Sequence, residues 1–113
     1  MQKDDLIYIN HILTVMERIT RDLINVNFDQ FSHDEILQDA MVRRIEIIGE
    51  ATKHISEILK SENKHIPWKD IAGMRDKLIH NYLNVDFDLV WITITKDIPN
   101  LKMELDKMTG HTV

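Results

Sequence analysis

The sequence predicts an all-α chain, an antiparallel bundle of four to five helices. Three observations predict it. Apolar residues recur at three- and four-residue spacing through the first sixty positions. The one stretch that alternates like a strand, Trp91-Ile92-Thr93-Ile94-Thr95, has no second strand to pair with, and a lone strand is unstable. The chain, 113 residues with 43% apolar and 29% charged, fits one soluble domain over residues 1–113.

The first helix is set by Leu6, Ile9, Leu13, Met16 and Leu23, with Asp4 or Asp5 as its cap, and it fades near Asn25-Val26-Asn27. Phe28 to Phe31 reads as a connector. Ser32-His33-Asp34-Glu35 has the form of a capping box for a long second helix. Its stripe is Leu37, Met41, Ile45, Ile48, Ala51, Ile55 and Leu59. Gly49 interrupts that stripe at a cost of about 1 kcal/mol relative to alanine, which close packing of a neighbouring helix explains. Pro67-Trp68 starts a third helix, which carries Arg75 to Tyr82 near its end. Asp86 caps a fourth helix through Trp91. After a break at Asp97, Pro99 starts a short fifth.

Cysteine is absent, which removes disulfides and thiolate metal sites and suits a reducing cytoplasm. No apolar run is long enough to span a bilayer, and Met1-Gln2-Lys3-Asp4-Asp5 does not open a signal peptide. A net charge of −5 argues against nucleic-acid binding by the whole surface. The charge is uneven: residues 1–39 carry −5, residues 40–80 carry +2 and residues 81–113 carry −2. The basic middle holds Arg43, Arg44, Lys53, Lys69, Arg75 and Lys77. It reads either as a local groove for one RNA segment or as a pair of solvated helix faces.

Within it lies Arg75-Asp76-Lys77-Leu78-Ile79-His80-Asn81-Tyr82. Arginine stabilises phosphate charge and histidine moves protons near neutral pH, a minimal kit for metal-free phosphodiester chemistry. The plainer reading of these eight residues is a surface arginine, a partly buried histidine and a packing tyrosine. On one straight helix Arg75 and His80 point about 140° apart and lie about 7.5 Å apart along the axis. Either the helix ends before His80, or two copies build a composite site at a two-fold interface. Asp76 and His80, four apart, would share a helix face, so the carboxylate can fix the imidazole tautomer. Tyr82 falls on nearly the opposite side of such a helix and can stack on a base.

The reaction this kit suits is attack of a ribose 2′-hydroxyl on the adjacent phosphorus. His80 acts as general base or acid and Arg75 stabilises the phosphoryl oxygens, leaving a 2′,3′-cyclic phosphate. No cofactor is expected. Bundle di-metal sites want Glu-x-x-His on two helices, and only Glu62-x-x-His65 matches, so no metal is expected either. Glu50 and His54 read as a surface pair on one helix face, and Trp68 and Trp91 as core or interface anchors.

The block Pro67 to Asp86 (PWKDIAGMRDKLIHNYLNVD) resembles the HEPN ribonuclease superfamily, specifically HepT-like toxins encoded beside the minimal nucleotidyltransferase antitoxin MntA. Leu37 to Ser56 is similar to the long second helix of that family, and Val85 to Lys102 to its C-terminal segment. The resemblance implies a toxin-type endoribonuclease acting on RNA, and a homodimer whose active site sits near the motif helix. It implies Arg75 and His80 as catalytic residues and Tyr82 as acceptor of adenylyl groups from the antitoxin. Bulk and negative charge there would repel RNA. The alternative is a non-catalytic partner or substrate-presenting subunit of a nucleotidyltransferase.

Overall fold

In a computed structural model the structure describes residues 1–81 and 84–110, with the backbone alone at His80 and Asn81. The fold is all-α, as its periodicity predicts. Helix α1 (Lys3–Asp22) lies against α3 (Glu35–Lys53) and against α8 (Ile98–Thr109). Ile9, Ile12, Met16 and Ile19 of α1 meet Met41, Ile45 and Ile48 of α3 in one core, with Val90, Ile94, Ile98 and Leu105 closing it. Each of these is almost wholly buried.

The local start and stop signals are where the sequence reading needs correction. Gln2, rather than Asp4 or Asp5, stands at the N-cap of α1. Asp5 is buried instead. Its carboxylate accepts from the Ser56 amide at 2.8 Å and the Ser56 hydroxyl at 2.6 Å. That clamp holds Ser56 extended, and Ser56 Oγ in turn accepts from the Leu59 amide. The second helix therefore stops at Lys53, and α4 (Glu57–Glu62) begins under its own cap. Ile55 and Leu59 stay in the core although they are not on α3.

The expected connector at Phe28 to Phe31 is a short helix, α2 (Phe28–Ser32). Its capping box is Asn27 with Gln30: the Asn27 side chain accepts from the Gln30 amide and the Gln30 side chain accepts from the Asn27 amide. Ser32 closes α2, its hydroxyl donating to the Asp29 carbonyl, so α3 is capped by Asp34 alone. Gln38, buried in α3, donates to the Phe31 carbonyl and ties the two together.

The third helix is two pieces, α5 (Trp68–Ala72) and α6 (Met74–Leu78), divided at Gly73. Pro67 stands at the N-cap of α5. The chain then leaves the helix. β1 (Ile79–Asn81) pairs antiparallel with β2 (Asn84–Val85), Ile79 opposite Val85 and Asn81 opposite Asn84. The Asp86 amide donates to the Leu78 carbonyl at 2.9 Å and closes the ladder.

Asp86 caps α7 (Phe87–Ile92), its side chain accepting from the Leu89 amide. The strand-like Trp91–Thr95 segment is helical, as argued from its lack of a partner. There is no break at Asp97, however. A π-helical turn (Thr93–Asp97) joins α7 to α8, and the Ile98 amide reaches back five residues to the Thr93 carbonyl. Pro99 has no N–H and its ring crowds the carbonyl four residues earlier. The wider turn absorbs both, and the hydroxyl of Thr95 donates to the Trp91 carbonyl. Trp68 and Trp91 both serve packing: Trp68 is buried with its indole N–H on the Asn63 carbonyl, and Trp91 lies against Phe28 and Phe31.

Candidate active site

Gly49 sets the floor of the site. A side-chain carbon there would meet the Ala72 carbonyl of α5 at 3.1 Å, so the missing methyl is what lets α5 lie close on α3. Glu46, three residues before Gly49, and Lys53, four residues after it, extend from the same face of α3. With Glu50, Ala72, Arg75 and Asp76 they enclose a hollow of about 250 Å³.

Arg75 projects from α6 and its Nε donates to Glu46 Oε2 at 3.3 Å. Its Nη1 lies 3.6 Å from Asp76 Oδ1. The Arg75 side chain keeps nearly half of its exposure, 47%. Such a pair contributes little stability because water screens it. Its consequence is orientation: Glu46 holds one edge of the fork, Asp76 lies beside Nη1, and the part-exposed side chain borders the hollow. Glu50 is engaged by Lys53 at 3.0 Å, and that hydrogen bond, with the ammonium charge, holds its carboxyl below the usual range.

The helix face that Asp76 and His80 were expected to share does not form. The helix ends at Leu78, and His80 lies in β1. The first of the two alternatives posed by the motif is the one realised: the backbone changes form between Arg75 and His80, which frees His80 from the helical direction. Asp76 is exposed and its ionic neighbour is Arg75. The side chain of His80 and all of Tyr82 lie outside the described residues. Glu50 and His54 make no close ion pair: His54 ends α3 and stacks face to face on Tyr8, ring centres 5.1 Å apart, and acts on Glu50 only through space.

The other basic residues divide. Arg44 holds Asp22 at 2.7 Å, and Lys77 lies 3.7 Å from Asp70. On the other side of α5 and α6, an apolar groove of about 420 Å³ runs to α7 and α8, past Ile71, Met74, Leu78, Leu89 and Leu101. Glu46 is the residue that sequence reasoning missed. Its signal was present: a glycine in a helix stripe marks the face that another element approaches, and Glu46 flanks that glycine by one turn. Among the described residues no group of three or more His, Cys, Asp or Glu is placed to hold a metal ion. No described helix is long and apolar enough to cross a membrane.

The family model described as Ribonuclease HepT-like matches residues 12–108, which takes in α3, the Arg75 hollow and the whole motif. The chain belongs to the HepT-like family. Curated relatives agree with that membership. A Methanocaldococcus jannaschii protein, named for both a gamma-glutamylcyclotransferase and a candidate RNase, is 47% identical over 96% of this chain, which spans about half (49%) of that protein's length. A protein of Caldanaerobacter subterraneus subsp. tengcongensis named as a candidate RNase is 41% identical over 89% of this chain and 90% of its own. A Thermococcus cleftensis protein named as a probable ribonuclease HepT is 42% identical over 94% of each. No solved structure matches.

Proposed function

We propose that this HepT-like chain, a single domain over residues 1–113, is a toxin-type endoribonuclease that cuts RNA without a metal ion. The observation that carries the reading is the family match over residues 12–108, which includes every residue from Arg75 to Tyr82. The half-exposed Arg75 side chain beside a hollow supports it, because charge stabilisation on a phosphoryl group requires an accessible cation.

In this reading the 2′-hydroxyl attacks the adjacent phosphorus and the 5′-oxygen of the next nucleotide leaves. His80 takes or returns the proton, and Arg75 neutralises the non-bridging oxygens. Glu46 holds Arg75 in place, and Asp76, beside the guanidinium, supports the site. A homodimer joined near α6 brings two motifs together, the apolar groove beside α6 supplying surface for it. Control comes from an MntA-like nucleotidyltransferase antitoxin that adenylylates Tyr82, adding about one negative charge and a nucleotide's bulk next to the phosphate site. The setting is cytoplasmic.

The test is RNA incubated with the protein in EDTA. Products should end in 2′,3′-cyclic phosphate and 5′-hydroxyl, and single-stranded DNA should remain intact. Cleavage that disappears in EDTA, or leaves 5′-phosphate ends, overturns the mechanism. Arg75→Ala and His80→Ala should each lose at least about a hundredfold in rate while keeping a cooperative melt. Mass spectrometry after incubation with ATP and the antitoxin should find AMP on Tyr82, and Tyr82→Phe should cut RNA yet escape silencing.

A further inference from the structure

A second cleft adjoins the Arg75 hollow, and its chemistry differs. Lys53, Lys60, Lys64 and Lys69 line a space of about 510 Å³ where α4 faces α5, over a floor that includes Ile66 and Trp68. Glu57 and Asp70 are its acidic members, so the lining carries +2 in a chain of −5. Lys53 and Lys60 have partners, Glu50 at 3.0 Å and Glu57 at 3.7 Å; the first pair is exposed, and Lys60 is largely covered. Lys64 and Lys69 are exposed and lie in no ion pair among the described residues. Lys53 and Ala72 line both this cleft and the Arg75 hollow, so the two are neighbours.

We propose that this lysine cleft is a track for the sugar-phosphate backbone of the RNA strand flanking the cut bond. The inference rests on the ribonuclease reading and adds to it a second surface, away from the motif. Ammonium groups on flexible stems meet phosphates as point charges, with no demand for a fixed geometry. A cleft whose lining is net positive concentrates negative charge locally, even on a protein whose net charge repels it. The aromatic group present cannot stack on a base: Trp68 is 8% exposed and its N–H is taken by the Asn63 carbonyl. Recognition here is therefore of phosphates alone, independent of sequence and indifferent to the 2′-hydroxyl.

The experiment measures binding of a single-stranded DNA oligonucleotide, which the proposed chemistry leaves uncut, by fluorescence anisotropy across a salt series. The variant is Lys64→Glu with Lys69→Glu. Its control, Lys3→Glu with Lys96→Glu, changes net charge equally at two other exposed lysines that lie in no ion pair among the described residues. The cleft variant should bind roughly tenfold or more weakly at low salt, and its log-log salt slope should fall by about one to one and a half, as loss of two phosphate contacts implies. It should cut a long RNA poorly and a dinucleotide as well as the wild type does. Equal losses in variant and control, or an unchanged affinity and slope, overturn the track. So does a cleft variant that binds nucleic acid normally but no longer binds the antitoxin, which would make the cleft a protein interface. If the wild type cuts no RNA while DNA binding depends on the cleft, the nuclease reading fails and the track stands.

Discussion

The α1–α3 pair and the α5–α6–β1 segment are built on opposite terms. In α1 and α3, long helices of 20 and 19 residues face each other across an unbroken apolar seam. In the motif segment, two five-residue helices and a three-residue strand follow one another with a break at each join. Short helices have little stability of their own, because nucleation is costly and few hydrogen bonds return it. They hold only because Ile71, Met74 and Leu78 are buried and because Gly49 lets α5 settle on α3. The bundle therefore supplies the free energy, and the motif segment supplies backbone directions that one helix does not offer.

The sharpest way to break this division is to exchange the effects. Ile45→Ala, in the seam, should cost about 2–5 kcal/mol in denaturant unfolding and leave the cleavage rate per folded molecule unchanged. Arg75→Ala should do the reverse, losing the rate with a stability change under about 1 kcal/mol. A large loss of stability in Arg75→Ala would place that residue in the scaffold.

Gly49 is where the two regions meet, so it tests their coupling. Gly49→Leu drives a branched side chain into the Ala72 carbonyl and should cost about 1–3 kcal/mol. Unlike Ile45→Ala, it should also lower cleavage, because α5 carries the Arg75 hollow with it. Unchanged activity in a destabilised Gly49→Leu protein would separate the packing from the site.

Asp5→Ala probes a long-range polar clamp of the scaffold. It leaves the part-buried Ser56 amide without its acceptor and should cost about 1–3 kcal/mol, readable as a lower thermal midpoint. The smallest effect concerns pH. Hydrogen bonds from Arg21 and Arg44 hold the Asp22 carboxyl at about 2, below its unfolded value of about 4. A depressed carboxyl contributes stability that is complete above about pH 4 and lost as pH falls through about 2. Because the pair is solvent-screened, Asp22→Asn should remove under about 1 kcal/mol of this acid dependence and leave neutral-pH cleavage untouched.

Much of the bundle was legible in the chain. The spacing of Ile9, Met16, Ile45 and Ile48 predicts the seam, Asp86 predicts the α7 start, and Gly49 predicts a close neighbour. These are properties of residues within a turn or two of each other, where side chain and backbone settle the geometry locally. The helix ends were less legible. Ser32 and Asp34 both offer a cap, and which one serves depends on whether Asn27 and Gln30 have already formed α2.

What the sequence by itself determined is the all-α class, the apolar seam and the Arg75-x4-His80-x-Tyr82 kit with its family. What only the tertiary structure decided is where the second helix stops, that Glu46 grips Arg75, and that the motif backbone leaves the helix after Leu78. The reason is range. Asp5 acts on Ser56 across 51 positions, Glu46 on Arg75 across 29, and Ile79 finds its ladder partner in Val85. Each of these is a choice between local conformations of similar energy, and a partner supplied by the fold makes it.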